Sequence, residues 1–371
     1  MKIIHTADWH IGKSVNDYSM LEIQRKLLVQ MVDYIRNHNI DVLIIAGDVY
    51  DRAQPSQQAI ALVNEVFSIL IQELKIKVLV IAGNHDSPQL IEYGSSIFST
   101  SNLYIEGTAK KEVQKVSVDS IDFYLLPFVA PYNYQQIVQD DAIKDFEAVY
   151  RHQLSTLEEE FDRDKINVLV AHGYMISGSM IPDKSDSMRP LSIGTVEYVD
   201  ASLFSMFDYV ALGHIHKPMK LAGTCYYSGA LYKYSKSEVN YPIGFNVIEM
   251  VGKSLNVHRH LFDLPKDMRI MKGSFLDLLS GQSDDYIFFE LEDEVYQFDA
   301  MKKLQLRYPY AMGLEYIHIK QKSSLPIKTS SVEDRGVLDL FSEFYGAVLK
   351  KDLTDKQKEY LIEIVKESEG Q

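Results

Sequence analysis

Five short apolar runs, rich in Ile and Val, recur along the first two-thirds of this 371-residue chain, and Asp, Asn, His or Gly follows each run closely. Uninterrupted apolar runs of this length are typical of strands that are covered on both faces. Helical periodicities separate the first three runs, so we expect an α/β fold. The runs cover residues 2–6, 41–46, 77–82, 167–171 and 209–212.

The segments between and after these runs predict the remaining elements. Apolar residues at helical spacing predict helices over residues 21–35, 60–74 and 141–161, the second after the start signal Pro55-Ser56. Further strands, separated by turns, are predicted over residues 115–118, 122–127, 221–228 and 245–258. Because turns join antiparallel strands and helices join parallel ones, we expect a sheet sandwich of mixed strand direction, flanked by helices.

The character of the sequence changes near Leu264-Pro265, and the chain length suits two or three domains. We predict an α/β domain over residues 1–264, a small α+β domain over 265–328 and a helical segment over 329–371. The small domain has predicted strands at 285–291 and 313–320 and a predicted helix at 299–308.

The helical segment carries two short amphipathic patterns. Apolar residues follow the helical period over 337–349, and Thr354-x-x-Gln357 is a capping-box pattern before a second helix. Two short helices bury little apolar surface against each other. They must therefore dock either on the rest of the chain or on a partner, and the sequence leaves both possibilities open.

Seven side chains of metal-ligand type follow the five apolar runs. They are Asp8, His10, Asp48, Asn84, His172, His214 and His216. The carboxyl ends of strands are where α/β sheets build ligand sites, and the alternate spacing in Asp-Trp-His and His-Ile-His predicts side chains on one side of an extended segment. Seven ligands without a thiolate are too many for one tetrahedral zinc site. Two divalent cations (Mn²⁺, Fe²⁺ or Zn²⁺) sharing a carboxylate would use all seven, and such a pair is a known device for phosphoryl chemistry.

Each of these residues also has a structural interpretation when it is taken alone. Asp48 could be a turn residue and His172 a buried core histidine. Their joint occurrence at successive strand ends favours the metal site. It also argues against the alternative of a scaffold that binds without cutting, since a scaffold does not need all seven.

Composition limits the other possibilities. The 52 acidic and 38 basic side chains give a formal charge of −14, which argues against non-specific affinity for nucleic acid but allows a local basic or metal-charged groove. A single cysteine, Cys225, excludes an intramolecular disulfide, and we interpret it as a strand residue. No run reaches the ~18 apolar residues of a membrane helix, so we expect a soluble cytoplasmic protein.

The order DxH, GDxxD, GNHD, HG and GHxH resembles the calcineurin-like metallophosphoesterase superfamily. The segments HTADWHIGK, AGDVYDR, AGNHDS and LGHIHKP are similar, within it, to the SbcD family of nuclease subunits. The resemblance implies one Mn²⁺ held by Asp8, His10 and His216, a second held by Asn84, His172 and His214, and Asp48 as the bridge. It also implies a catalytic role for His85, which Asp86 would orient.

The same resemblance implies a function. An SbcD-like chain is a Mn²⁺-dependent double-strand exonuclease and single-strand or hairpin endonuclease, in which a metal-bound hydroxide attacks the phosphodiester. It acts with the ATPase SbcC in DNA end processing, repair and replication-linked hairpin removal. The family further implies a homodimer, a capping domain over the metal site at 265–328 and docking of residues 329–371 on SbcC.

Two points stay open in the sequence. Lys13, Lys184 and Arg189 are candidate DNA contacts, and Asp51-Arg52 stands where archaeal relatives carry a second functional histidine, so that role is not transferred. A stand-alone phosphatase or cyclic-nucleotide phosphodiesterase of the same superfamily is the alternative. The roughly 110 residues after Pro265 count against it, because the chemistry needs only the first domain.

Overall fold

A computed structural model describes residues 1–157, 161–191, 196–318, 341–342, 345–346 and 351–369. The chain divides into two compact units, Met1–Arg269 and Ile270–Gln371. In the part of the chain that is described, no helix is both long and apolar enough to span a membrane.

The strands of the first unit have the following bounds. They are β1 Lys2–Thr6, β2 Ser14–Val15, β3 Tyr18–Ser19, β4 Val42–Ala46, β5 Lys77–Ile81, β6 Leu103–Glu106, β7 Gln114–Val118, β8 Ile121–Leu126, β9 Ile166–His172, β10 Tyr174–Ile176, β11 Tyr198–Asp200, β12 Tyr209–Gly213, β13 Met219–Ala222, β14 Cys225–Tyr227, β15 Gly244–Val251 and β16 Ser254–Leu261. β17 Met268–Gly273 crosses into the second unit, which adds β18 Tyr286–Leu291 and β19 Ala311–Tyr316.

Among the described residues, the α-helices are fewer than the strands and mostly short. They are α1 Leu21–His38, α2 Gln57–Ser68, α3 Pro88–Glu92, α4 Ser95–Phe98, α5 Pro131–Val138, α6 Phe146–Ser155, α7 Phe275–Ser280, α8 Ala300–Gln305 and α9 Asp355–Glu369. The α2 helix begins where predicted, because the Ser56 side chain accepts a hydrogen bond from the Ala59 amide at 3.2 Å. A π-helical turn, Ile69–Glu73, continues it.

Two six-stranded sheets form the first unit. One has the order β16-β15-β1-β4-β5-β6 and the other β13-β14-β12-β9-β8-β7. In the first sheet β1, β4, β5 and β6 run parallel, and the β15–β16 hairpin adds antiparallel strands at one edge. In the second sheet β14, β12, β9 and β8 run parallel, and β13 and β7 flank them as antiparallel strands. The predicted α/β sandwich of mixed strand direction is confirmed.

The core between the sheets explains why the strand sequences are apolar throughout. Val42 and Ile44 of one sheet belong to the same buried cluster as Phe123, Val168 and Val170 of the other. On its far side, the second sheet packs through Tyr124 and Leu169 against α6. Central strands therefore have no solvent face on which polar residues would alternate.

Three predicted elements differ from the structure. The helix expected over 141–161 is the shorter α6, because Asp145 caps its start by accepting from the Ala148 amide at 2.8 Å. The strands expected over 221–228 and 245–258 are each antiparallel hairpins, β13–β14 and β15–β16. Gly223 and Gly252, both at positive φ, make the two turns.

The second unit contains a three-stranded sheet of order β17-β18-β19 with its own core. Phe289 of β18, Leu304 of α8 and Tyr308 are buried together in that core. Near the C-terminus, α9 follows the predicted capping residues, since the Thr354 amide donates to Gln357 Oε1 at 2.9 Å. Most of the helix predicted over 337–349 lies outside the described residues.

Candidate metal centre

The seven predicted ligands converge on one edge of the sandwich. Asp8 and His10 follow β1, Asp48 follows β4 and Asn84 follows β5, all from the first sheet. His172 ends β9, and His214 and His216 follow β12, both from the second sheet. The parallel central strands place their carboxyl ends together, which brings residues more than 200 positions apart within hydrogen-bonding distance.

The backbone at this edge turns sharply rather than running extended. Asp8, His10, Asp48 and His214 have φ angles of 51°, 45°, 53° and 99°. The expectation that Asp8 and His10 share one side of an extended segment is therefore wrong. Left-handed backbone in non-glycine residues is strained and clusters at functional sites. Here it allows successive side chains to turn toward the same point.

Two glycines make room for the ligands. A Cβ on Gly83 would lie 2.1 Å from Asp48 Oδ1, and one on Gly47, at φ 87°, would lie 2.3 Å from His172 Nδ1. No other residue fits without displacing a ligand side chain.

Asp8, His10 and His216 form the first group of ligands. His10 Nε2 and His216 Nε2 are 3.0 Å apart, and the ligand atoms of all three residues lie within 4.8 Å of one another. Both carboxylate oxygens of Asp8 accept from the His214 amide, at 2.9 and 3.0 Å. The three side chains are buried, so their ligand atoms face each other rather than water.

Asn84, His172 and His214 form the second group. Asn84 Oδ1 lies 3.0 Å from His172 Nε2 and 3.2 Å from His214 Nδ1. Asp48 stands between the two groups, with Oδ2 at 3.7 Å from His10 Nε2 and 3.6 Å from His172 Nε2. That is the position a bridging carboxylate would take.

The chemistry of the donor set fits divalent cations. His172 Nδ1 donates to the Ala46 carbonyl at 2.9 Å, so its neutral Nε2 points a lone pair at another acceptor, Asn84 Oδ1. Among the buried side-chain atoms that the structure describes, His10 Nδ1 and His214 Nε2 have no hydrogen-bond partner. The facing lone pairs of His172 Nε2 and Asn84 Oδ1 are costly in a buried site unless a cation is shared between them.

The electrostatics point the same way. Burial lowers the pKa values of His10, His172 and His214, which keeps the imidazoles neutral, as metal ligands must be. Burial raises the pKa of Asp8 to about 6, and burial together with Asp86 raises the pKa of Asp48 well above its usual range. A raised pKa means that the charged carboxylate is unfavourable without a partner, and a nearby cation would stabilise it.

His85 lies beside the ligands but is held by the backbone. Its Nδ1 donates to the Asp51 carbonyl at 2.7 Å, and its ring is 4.6 Å from that of His10. Burial lowers its pKa to about 4, against a smaller raising effect of the Asp51 carbonyl. The ring is thus fixed with Nε2 available to a substrate.

Asp86 does not orient His85, contrary to expectation. Its carboxylate accepts three backbone N–H groups, from Val49 at 3.1 Å, Tyr50 at 2.9 Å and Gly83 at 2.9 Å. Satisfying three buried donors ties the loop after β4 to the loop after β5. The orienting partner of His85 is the main-chain carbonyl of Asp51, which no sequence pattern marks.

Sequence reasoning also missed Glu238, which bonds the Nδ1 atom of the proposed ligand His216. This buried carboxylate accepts from His216 Nδ1 at 2.8 Å and from the Tyr234 amide at 2.6 Å, and it also bonds the Ser187 hydroxyl. Although burial opposes it, Glu238 raises the pKa of His216, and His216 in turn lowers the pKa of Glu238 to about 2. Glu238 lies in a single 3₁₀ turn, so no periodicity could have identified it.

Two of the three predicted DNA contacts are paired with carboxylates of the chain. Lys13 Nζ lies 2.8 Å from Asp51 Oδ1, and Lys184 bonds Glu197 while lying over the Tyr174 ring. Arg189 is exposed, and its charge is among the causes that lower the pKa of His85.

Comparison with known proteins places this site in a family. The model for calcineurin-like phosphoesterases matches residues 1–218, and a second one, described as the type 5 capsule protein repressor C-terminal domain, matches 264–348. A Staphylococcus saprophyticus protein, named as the D subunit of the nuclease SbcCD, is 32% identical over 98% of this chain and 98% of its own. A protein of the same name from Staphylococcus epidermidis is 32% identical over the full length of both. The chain belongs to the SbcD family of calcineurin-like phosphoesterases.

Membership confirms the resemblance inferred from the sequence motifs and the prediction of an enzyme. An SbcD-family chain is a metal-dependent phosphodiester hydrolase, and the buried His and Asp cluster agrees with the use of a divalent metal. Among solved structures, a Thermus thermophilus protein, TT1561, is 13% identical over 70% of this chain and 98% of its own, with a TM-score of 0.42. That likeness is too weak to carry an argument about function.

Proposed function

We propose that this chain is the nuclease subunit of an SbcC–SbcD complex. It cleaves DNA as a Mn²⁺-dependent double-strand exonuclease and as a single-strand and hairpin endonuclease, in DNA end processing, repair and replication-linked hairpin removal. The observation that carries the proposal is the convergence of all seven predicted ligands at one edge of the sandwich. The full-length similarity to proteins named as the D subunit of the nuclease SbcCD supports it.

We assign the ligands to two metal positions. Asp8, His10 and His216 would hold one Mn²⁺, while Asn84, His172 and His214 would hold the other, with Asp48 shared. When bound, two such cations polarise a phosphodiester, lower the pKa of a bound water and stabilise the departing oxygen. The protein supplies a rigid, largely buried cradle for them, since Asn84 alone of the seven is partly exposed.

His85 acts on the substrate rather than on a metal. The Asp51 carbonyl holds the Nδ1 proton, which leaves Nε2 free to meet the scissile phosphate. An approaching phosphodiester anion favours the protonated imidazole, because nearby negative charge stabilises the positive form. Nε2–H can then donate to the departing oxygen as general acid.

The test is His85→Ala, with the exposed His258→Ala as matched control. We expect H85A to retain the wild-type metal content by mass spectrometry while losing DNA cleavage by about 10²–10⁴-fold. H258A should match the wild type in both. Full cleavage by H85A would overturn the role of His85. Hydrolysis of a phosphomonoester or cyclic nucleotide without any cleavage of DNA would favour the phosphatase alternative.

Docking on an SbcC-type ATPase is proposed for residues 329–371. In the described part of this segment, Phe341, Tyr345, Leu353, Tyr360 and Leu361 line a mainly apolar groove of about 440 Å³. An apolar groove between short helical pieces fits the helix-on-coil mode of recognition. We propose the domains as predicted, with residues 1–264 catalytic and residues 265–328 as the cap that admits or excludes duplex DNA.

Homodimerisation is proposed through the region of α2 to α4. Ile60, Leu90, Tyr93 and Phe98 line one groove of about 240 Å³, and all four side chains are exposed, Tyr93 by 81%. Contiguous apolar side chains of this size on a surface mark an interaction site. A second copy of the chain would cover them.

A further inference from the structure

We propose that the cavity beside Asn84 is a subsite for one nucleobase of the DNA substrate, next to the cleaved phosphate. The cavity has a volume of about 450 Å³, within the range of small-ligand sites. Gly83 and Asn84 form one wall, so the cavity opens directly beside a proposed metal ligand. The inference rests on the proposed function, because it concerns the same substrate.

The position of Phe128 links the cavity to the metal centre. The Phe128 amide donates to the Ala82 carbonyl at 2.9 Å, which ties the segment after β8 to the end of β5. The ring stands edge-to-face to the His172 ring, with centroids 6.4 Å apart. A base stacked in this cavity would therefore lie within one nucleotide of a phosphate held by the ligands.

The polar groups of the cavity are those that recognise a base. Asn133 and Gln136 lie three residues apart on α5, and Gln89 lies on α3. All three amides are exposed, and in the described part of the chain none of them makes a side-chain hydrogen bond within the protein. An amide offers both a donor and an acceptor, which matches the edge of a base.

The described lining of the cavity lacks the cationic side chains that would favour a phosphate as its occupant. Among the described residues that line it there is no Lys or Arg, and its single carboxylate, Asp86, is fully used by three backbone amides. Pro88, Ile137 and Phe128 supply apolar surface for a flat ring. A neutral aromatic ring with polar edges fits this lining, and the adjoining phosphate belongs to the metal side.

The first test uses Mn²⁺-loaded full-length protein and single-stranded oligonucleotides that contain one cleavable phosphodiester. Two further substrates each carry one abasic sugar, placed on the 5′ side of that phosphate in one and on the 3′ side in the other. We expect kcat/KM to fall about tenfold or more for one of the two abasic substrates. In N133A/Q136A the ratio of kcat/KM for the normal substrate to kcat/KM for that abasic substrate should fall toward one. Tyr132→Ala, on the same helix but outside the cavity, should keep the wild-type ratio.

Equal kcat/KM for normal and abasic substrates in the wild type would overturn the subsite. So would an unchanged ratio in N133A/Q136A. Failure of the wild type to cleave any oligonucleotide would instead overturn the proposed function. The subsite is then decided by calorimetry, in which deoxyadenosine monophosphate must bind at least about tenfold more tightly than deoxyribose 5-phosphate and must lose that advantage in N133A/Q136A.

Discussion

His5 shows what burial does to a titratable side chain that is not a predicted ligand. Its ring is fully buried in β1, with Nδ1 accepting from the Tyr209 hydroxyl at 2.9 Å and Nε2 donating to the Leu212 carbonyl at 3.2 Å. Burial lowers the pKa of His5 from 6.5 to about 3, and the charge of Arg259 acts in the same direction. The ring therefore stays neutral throughout the physiological range.

This pKa shift predicts a loss of stability in acid. Below pH 6.5 the unfolded chain binds a proton at His5 that the folded chain does not take up until about pH 3, so stability is lost as the pH falls through that window. Between pH 7 and pH 5 the free energy of unfolding of the wild type should fall by about 2 kcal/mol more than that of His5→Gln. Denaturant unfolding at both pH values measures this, with the exposed His38→Gln as control. Equal losses in wild type and H5Q would contradict it.

Glu238 leads to a second prediction about a single side chain. Replacing its carboxylate with the amide in Glu238→Gln removes the charge behind His216 while nearly keeping its shape. We expect Mn²⁺ affinity to fall by about 10–100-fold, because a carboxylate on the outer ring nitrogen raises the basicity of a metal-binding imidazole. Titration calorimetry with Mn²⁺ is the measurement. Glu106→Gln, which alters another buried carboxylate, is the control, and equal affinities for E238Q and wild type would refute the assignment.

Among the elements, the loops after the central strands do most to form the site. Each is short, and hydrogen bonds from one loop to the next hold it, as when the His85 amide donates to Asp48 Oδ1 at 2.8 Å. Such long-range bonds let the loops keep left-handed backbone at four of the seven proposed ligands. The strands therefore fix where the proposed ligands lie, and the hydrogen bonds between loops fix how their side chains are oriented.

The C-terminal helix α9 carries a prediction about the partner. Tyr360 is 68% exposed at the apolar groove of the tail, so Tyr360→Asp should abolish or strongly weaken co-elution with an SbcC-type ATPase, because a charge would then be buried at the contact. Hydrolysis of a small phosphodiester should not change. Lys358→Asp places a carboxylate outside the groove, with a larger change of net charge than Y360D, and should keep binding. Equal retention of the partner by Y360D and K358D would exclude this groove as the contact.

The first unit as a whole exposes an apolar surface that predicts self-association. Tyr93→Asp should shift the chain from dimer to monomer in analytical ultracentrifugation, because the charge would be buried at the interface of two copies. Val251→Asp alters an equally exposed residue at a hairpin end and should leave the dimer intact. A wild type that sediments as a monomer at micromolar concentration would contradict the proposal.

The formal charge of −14 also belongs to the whole chain. Asp8 and Asp48 account for two of those charges, and both would lie against divalent cations. The total therefore does not exclude DNA as a substrate. It predicts weak, salt-sensitive binding by this subunit alone, and Lys13 and Lys184 offer little help because carboxylates already neutralise them.

Much of the fold and most of the proposed site could be predicted from local patterns. Buried central strands have no polar face, so uninterrupted apolar runs mark them, and ligand residues directly after a strand must lie at the edge of its sheet. The sequence predicts the hairpins β13–β14 and β15–β16 as single strands, because a two-residue turn that begins with glycine interrupts the strand pattern of each segment only briefly.

The support of the site could not be predicted, because it depends on contacts between residues distant in sequence. The pairing of a carboxylate with a functional imidazole predicts that Asp86 orients His85, yet the Asp86 carboxylate accepts from amides of the loop after β4, and the Asp51 carbonyl holds His85 instead. Glu238 and His216 are 22 residues apart in sequence, and only the folding of the chain brings them into hydrogen-bonding contact. Residue type and the succession of strands along the chain are local properties and can be read in sequence, whereas hydrogen-bond partners depend on packing, which the tertiary structure alone decides.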